Sequence, residues 1–419
     1  MVTVKPFKGI RPPKNIAAQV ACLPYDVMNS EEAARMAQGK QCSLLHITRA
    51  EIDCPQGTDI HSDTVYNKAV ENFRKALDEG WLQEDEKPQF YIYAQTMKGR
   101  TQYGIVGAAA CEDYRRGTIK KHELTRPDKE EDRMVLTRFL KANIEPVFFC
   151  YKAVKELDDI VNQVIKNKPE YDFVAEDGFG HTLWVVSDDN QIKAIETLFA
   201  TKVEATYVAD GHHRTAAAAR IGDEFAAKNP NHKGDENYNF FMAVHFPDNQ
   251  LQIIDYNRVV KDLNGLSETE FLAKLATVMK VEKLTAEPYR PAKLHEFSMY
   301  LAGSWYKLTA NPGTYDDNDP IGILDVTILS NNVLDKILGI ADLRRSTRIE
   351  FVGGIRGLGE LQRRVDSGEM KVAFALYPVS MKQLTDIADS GNIMPPKTTW
   401  FEPKLRSGLV IKRVDNDKA

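Results

Sequence analysis

A chain of 419 residues, 43% hydrophobic and 27% charged, is too long for one simple core and has the make-up of a globular protein of two or three domains. Its formal net charge of −5 argues against a general polyanion binder, so nucleic acid is not an expected partner. No run approaches the roughly 20 apolar residues of a membrane helix, residues 1–14 lack the apolar stretch of a secretory signal, and the five cysteines show no CxxC spacing, so reduced thiols in a cytoplasmic setting are expected.

The N-terminal stretch is punctuated by Ile10-Arg-Pro-Pro and Leu23-Pro-Tyr-Asp, after which Ser30 is the expected cap of a first helix. Helical spacing of Val65, Ala69, Phe73 and Leu77 predicts a helix over 64–79 that stops at Gly80. β-Branched and aromatic content predicts strands at 89–96, 103–111 and 145–151. A helix at 153–166, strands near 171–175 and 182–187, a helix at 189–200, a strand at 205–209 and a helix at 212–228 follow. This alternation implies an α/β or mixed α+β core. Apolar runs at 240–246 and 251–254, separated by Pro247-Asp-Asn249, read as a hairpin. Beyond residue 262 come a helix at 268–280, a hairpin around Gly303, a Gly/Asn/Asp/Pro-rich loop at 311–320 and a small α/β unit. In that unit, helices at 325–338, 357–366 and 380–389 alternate with strands at 348–352 and 371–377.

The most informative run is Ala205-Thr-Tyr-Val-Ala-Asp-Gly-His-His-Arg-Thr-Ala, a strand turning sharply into an alanine-rich helix. Such a turn aims unpaired backbone N–H groups and the positive end of the helix dipole at one point, and phosphate is the usual occupant. Gly211 permits a positive φ, and Arg214 suits bidentate contact with phosphoryl oxygens. Asp210 can accept a hydroxyl proton, hold a metal ion or merely cap the helix. His212 and His213, being adjacent, do not share a helix face and are poorly placed to chelate one metal together.

A second constellation is Ile119-Lys-Lys-His-Glu-Leu-Thr-Arg126, where His122 and Glu123 precede a strongly charged segment. A carboxylate here can act as the base for a hydroxyl that attacks phosphorus. Residues 128–132 read as a solvated face. A third is Met394-Pro-Pro-Lys-Thr-Thr-Trp-Phe-Glu-Pro-Lys-Leu-Arg406, a stiff proline-set loop presenting Lys397, Thr398, Thr399, Lys404 and Arg406. It is either a clamp on an anionic substrate or a strap with Trp400 and Phe401 packed inward. Phe351-Val-Gly-Gly-Ile-Arg-Gly-Leu-Gly departs from the GxGxxG order and reads as a structural turn. Asn257 and Arg258 could reach a pocket but read as an exposed pair.

Six separated motifs resemble, in order, a bacterial and archaeal family, the domain-of-unknown-function family numbered 1015. They are Phe7-Lys-Gly-Ile-Arg-Pro-Pro, Leu23-Pro-Tyr-Asp-Val, His122-Glu-Leu-Thr, Ala209-Asp-Gly-His-His-Arg, Asp255-Tyr-Asn-Arg and Met394-Pro-Pro-Lys. The Asp-Gly-His-His-Arg turn is also similar to the nucleotide-binding turn of the ParB and sulfiredoxin superfamily, which includes kinases of free L-serine. That second resemblance implies a ParB/sulfiredoxin-like nucleotide-binding core at 86–261. It leaves 1–85 as an extension packing on the core and 262–419 as a C-terminal α/β domain.

The same resemblance implies Glu123, with His122 and Asp210, as catalytic groups, and Gly211, His212, His213, Arg214 and Thr215 as nucleotide contacts. Asp210 is then the metal ligand for Mg²⁺; apart from that likeness, which has no counterpart for residues 262–419, Lys397, Thr398, Arg258 and Arg126 are the expected substrate contacts from the donors they present. The expectation is a phosphotransferase using ATP or ADP on a small hydroxylated metabolite, free serine or phosphoserine first. A ParB-like nucleotide-binding regulator and a phosphatase using the same cradle are the alternatives, and a homodimer is allowed.

Overall fold

The computed structural model describes residues 1–285 and 287–415. The chain forms two compact units, the first holding Met1–Lys121, Thr125–Leu251 and the chain from Pro403 onward, the second His122–Leu124 and Gln252–Glu402. Each mixes helices with a sheet, giving the mixed α/β class expected from the sequence.

The first unit is built on a nine-stranded sheet of β1 (Val4–Lys5), β2 (Phe90–Met97), β3 (Arg100–Ala110), β4 (Ile119–Lys120), β5 (Val147–Tyr151), β6 (Tyr171–Val174), β7 (Gly180–Val186), β8 (Thr206–Asp210) and β9 (Phe240–Pro247). The order is β4-β8-β5-β9-β3-β2-β7-β6, with β1 beside β3. The β4/β8 and β5/β9 pairs are parallel and the others antiparallel. Central β9 is buried along its whole length, which explains an apolar run interrupted only by His245. It does not form the expected hairpin with residues 251–254. Both of its edges are already taken by β3 and β5, and Ile253–Ile254 pairs instead with Trp400–Phe401 in the second unit.

Helix α1 (Asp63–Asp78) buries Val65, Ala69 and Phe73 of the stripe read from the sequence, together with Tyr66 and Ala76, while Leu77 is half-buried. The helix Ser30–Ala37 is capped by Asn29 rather than Ser30. The third residue after Asn29 is Glu32, and the two form a reciprocal capping box, while the Ser30 hydroxyl donates to Glu51. Helix α2 (Pro127–Leu140) carries the charged run, but Asp132 is not solvated. It is half-buried, with Tyr66, His61 and Arg133 each within hydrogen-bond reach of its carboxylate. Helices α3 (Lys155–Val164) and α4 (Asp189–Lys202) contribute Leu157, Val161, Ile195 and Phe199 to one apolar cluster, and α5 (His212–Lys228) adds Ala218 and Ala219 to another.

In the second unit, β10 (Tyr256–Val260), β11 (Met279–Lys283), β12 (Glu296–Leu301), β13 (Ser304–Ala310), β14 (Ile349–Gly353) and β15 (Val372–Leu376) form an antiparallel sheet, order β11-β13-β12-β15-β10-β14. The expected helix at 268–280 is α6 (Glu268–Leu275), which ends in a turn at 276–278 before β11 begins at Met279. The expected helix at 325–338 is α-helical only over α7 (Asp325–Leu329) and widens to a π-helix at Ser330–Asp335. There the Ser330 hydroxyl donates back to the Val326 carbonyl and Asn332 donates to Thr314, side-chain bonds that compete with the regular ladder. Helices α8 (Gly357–Asp366) and α9 (Met381–Asp389) complete the unit. Among the described residues no helix is long and apolar enough to cross a membrane, and all five cysteines are free thiols.

Candidate functional site

In the first unit β8 ends at Asp210, and Gly211 turns the chain at φ +92 into the 17-residue helix α5. A Cβ at 211 would lie 3.2 Å from both Arg214 Nε and Val147 Cγ1, so the turn needs glycine for space as well as conformation. No side chain caps α5, and the positive end of a four-turn helix therefore stands at residues 211–214. The Thr215 hydroxyl is spent inside the helix, donating to the Gly211 carbonyl at 2.9 Å. His212 is buried and His213 partly so.

Asp210 accepts from the Gly211 N–H at 2.8 Å through Oδ1 and from Lys404 Nζ at 3.1 Å through Oδ2. Burial alone would raise its carboxyl pKa, but Lys404 and Arg214, with His212 behind them, hold it far below the usual carboxylate range. Lys404 is delivered by a short C-terminal segment laid across β2 and β7. Gln95 donates to the Pro403 and Lys404 carbonyls, and Arg406 bonds Tyr93 through its N–H, His181 through Nε and the Asp177 carboxylate. The sequence marks Lys404 as a donor but gives no sign of its pairing with Asp210, because the two are 194 residues apart.

Arg214 is buried, and its Nη1 donates to the Pro146 carbonyl at 2.6 Å. Burial disfavours its charge, yet Asp26, Glu145 and Asp210 together keep the guanidinium more firmly protonated than usual. The Leu23-Pro-Tyr-Asp-Val motif thus stands beside the turn. Tyr25 N–H donates to Glu145 at 2.9 Å, and the Arg133 guanidinium lies 3.8 Å over the Tyr25 ring. Burial pushes the Tyr25 phenol up to about 12. Arg126, at the N-terminus of α2, is exposed and paired with Asp128 at 2.8 Å.

The second unit gathers three other motifs. His122 is buried, its Nε2 3.2 Å from the Thr399 hydroxyl and its carbonyl accepting from Met394 N–H at 2.8 Å. Glu123, next in the chain, is half-buried. Asn257 and Arg258 are not the exposed pair the sequence suggested. Both are fully buried, because β10 runs between β14 and β15 and has no free edge.

Among the described residues no carboxylate pairs with Arg258. It donates to the Tyr256 carbonyl and, at 2.9 Å, to the Lys397 carbonyl, between the Phe351 and Tyr256 rings, and burial pushes it down to about 10. Lys397 itself is exposed at φ +58 with Nζ 5.8 Å from the Tyr256 ring, and the Thr398 hydroxyl donates to Pro395 at 2.6 Å. Gly353 and Gly354 serve close packing. A Cβ at 354 would meet Asp255 Oδ1 at 2.3 Å, and one at 353 the Trp400 indole at 2.8 Å.

Magnesium beside a nucleotide takes one or two carboxylates plus phosphate oxygens. Asp210 is the only carboxylate of the turn, its oxygens face an N–H and an ammonium, and among the described residues no three Asp, Glu, His or Cys groups converge on a metal position. The residues present do not fit a protein-built magnesium seat.

The family model described as "Protein of unknown function (DUF1015)" matches residues 4–327. Among solved structures, SbnI with a C-terminal truncation from Staphylococcus aureus is 11% identical, over 75% of this chain and 90% of that one, with a TM-score of 0.38. A free serine kinase in complex with AMP is 11% identical over 73% and 92%, TM-score 0.35. A conserved hypothetical protein from Pyrococcus furiosus is 12% identical over 74% and 95%, TM-score 0.35. No curated protein matches the chain.

Proposed function

We propose that this chain, which belongs to the DUF1015 family, binds a nucleotide through its phosphates at the 210–214 turn and transfers a phosphoryl group to a small hydroxylated metabolite. The observation that carries the reading is the uncapped start of α5 behind Gly211, with the Lys404 ammonium held at the same turn. Backbone N–H groups and the helix dipole favour a polyanion there, and a compact ammonium adds a point charge for phosphate oxygens.

Roles follow from the chemistry of each group. Asp210, kept ionised far below neutrality, is a poor proton acceptor and positions Lys404 instead. Glu123 is the proposed base. It takes the acceptor's hydroxyl proton as the new O–P bond forms and the bond from phosphorus to the leaving nucleotide oxygen breaks. Its assignment rests on the likeness to the ParB and sulfiredoxin superfamily, with His122 fixing the segment through Thr399 and Met394. Free serine or phosphoserine is the first acceptor to try, its acid group meeting Lys397, while the Thr398 hydroxyl is spent on the Pro395 carbonyl and Arg258 is a positioning residue that holds the Lys397 carbonyl. Magnesium would enter with the nucleotide rather than on a protein seat.

A thermal-shift screen of ATP, ADP and CTP, each with and without Mg²⁺, tests nucleotide binding. A ligand at 100 times its dissociation constant should stabilise the fold by about 2.7 kcal/mol. Glu123→Gln should then keep the shift and lose turnover, and full activity in that variant removes Glu123 as base. No shift with any nucleotide, together with phosphate release from a phosphorylated metabolite alone, would replace this reading with a phosphatase.

A further inference from the structure

The Phe7-Lys-Gly-Ile motif has no part in the phosphate turn, yet it borders a cavity of about 330 Å³ within the first unit. Phe7 and Phe240 give it an apolar wall, and Lys5 Nζ stands 4.4 Å over the Phe240 ring. Lys8 and Arg413 also line it. Of the three acids there, Glu84 pairs with Arg413 at 3.1 Å and Asp415 with Lys141 at 3.8 Å, so the lining sets the three lysines Lys5, Lys8 and Lys412 beside Asp235.

Lys412 is the unusual member. It sits on the short strand Ile411–Arg413, paired with Gly9 of the motif, and is only 2% exposed. Its Nζ donates to the Asn237 and Arg413 carbonyls, each at 2.8 Å. Neutral carbonyls do little to hold a buried charge, and burial pushes this amine down to about 7, against weaker upward pulls from Cys111 and Asp415. With Cε and two carbonyl-bound protons in place, the neutral nitrogen keeps one tetrahedral direction for a lone pair, the arrangement of a nucleophilic amine.

We propose that this cavity binds a small organic anion bearing an aldehyde, and that Lys412 takes its carbonyl carbon as an imine. The acid group meets Lys5 and Lys8, and the apolar body lies along Phe7 and Phe240. The amine lone pair adds to the carbonyl carbon, one of the two N–H protons passes to the oxygen to give a carbinolamine, and the hydroxyl leaves as water with the second, so that the C=N bond forms as the nitrogen gives up its two donations to the Asn237 and Arg413 carbonyls. No oxidant or reductant takes part.

Pyridoxal 5′-phosphate, an aromatic aldehyde with a phosphate, is the probe. The full chain is treated with less than one equivalent of it and cyanoborohydride, which reduces the imine to a stable amine, and the adduct is mapped by peptide mass spectrometry. The expected result is an adduct concentrated at Lys412 and lowered several-fold in Lys8→Ala, an exposed site whose change leaves the fold intact. Label spread over exposed lysines with Lys412 unmodified overturns the imine. Undiminished Lys412 label in Lys8→Ala overturns the anion grip. Neither outcome touches the phosphate turn, which a nucleotide titration reads separately.

Discussion

The Nζ of Lys404 lies 3.1 Å from Oδ2 of Asp210, so a lysine near the C-terminus completes a turn formed at the strand-to-helix junction of residues 210–214. The pair is partly exposed, which limits its value to stability to about 1 kcal/mol or less. Its larger consequence is for ligands, because Asp210 places a negative charge beside a proposed phosphate seat. Asp210→Asn should therefore bind ADP at least as tightly as the wild type when no magnesium is added. A metal-ligand role predicts the reverse, a loss of affinity that appears only with Mg²⁺, and paired titrations with and without the ion separate the two.

Gly211→Ala forces φ +92 on a residue with a Cβ and brings that Cβ to 3.2 Å from Arg214 and Val147. The expected cost is about 1–2 kcal/mol, read as a lower urea midpoint at unchanged slope. Nucleotide affinity should fall as well, since the N–H groups of the turn would shift. An unchanged midpoint would mean that the turn is looser than its geometry requires.

Acid should unfold the first unit through two buried imidazoles. Burial lowers His245 to about 4, and burial with the nearby Arg406 lowers His181 to about 3. As pH falls below 6.5 the unfolded chain takes up protons that the folded one refuses. Stability is therefore full above pH 6.5 and is lost on the way down to pH 4 and 3, by about 3 kcal/mol from His245 alone. In His245→Phe the loss between pH 7 and pH 4.5 should shrink by that order, and an identical loss in variant and wild type would refute it.

Asp325 in the second unit works in the opposite direction. Its carboxyl is raised to about 7 by burial, which outweighs the backbone N–H groups of His295, at 2.8 Å, and Tyr377 that favour its charged form. The folded state holds a proton that the unfolded chain has released, so this group's contribution is full below about pH 4 and declines as pH rises through 7. Asp325→Asn should stabilise the protein at pH 8 by on the order of 4 kcal/mol at most and change little at pH 4. Equal effects at both values would show that no proton is involved.

Local order was plain in the amino-acid sequence wherever one periodicity ran uninterrupted. The helix 212–228, the stripe of α1 and the apolar β9 were all readable. What escaped were relations set by distant chain. The missing hairpin at 240–254 depended on β3 and β5 having claimed both edges of β9. Arg258 was mistaken for a surface residue because nothing adjacent to it announces that β10 is a central strand. At the turn, residues 210–214 declare an anion seat by themselves, but Lys404 reaches it only through the bonds of its segment to Gln95, Tyr93 and His181.

The account turns on whether phosphate is gripped at that seat, and titration of ADP into the wild type and Lys404→Ala by calorimetry at one fixed salt concentration tests it most directly. A charge-assisted hydrogen bond to phosphate is worth about 1.5–3 kcal/mol, so the variant should bind roughly 10- to 100-fold more weakly than the wild type. Equal affinity in the two proteins, or no heat of binding in either, would contradict it.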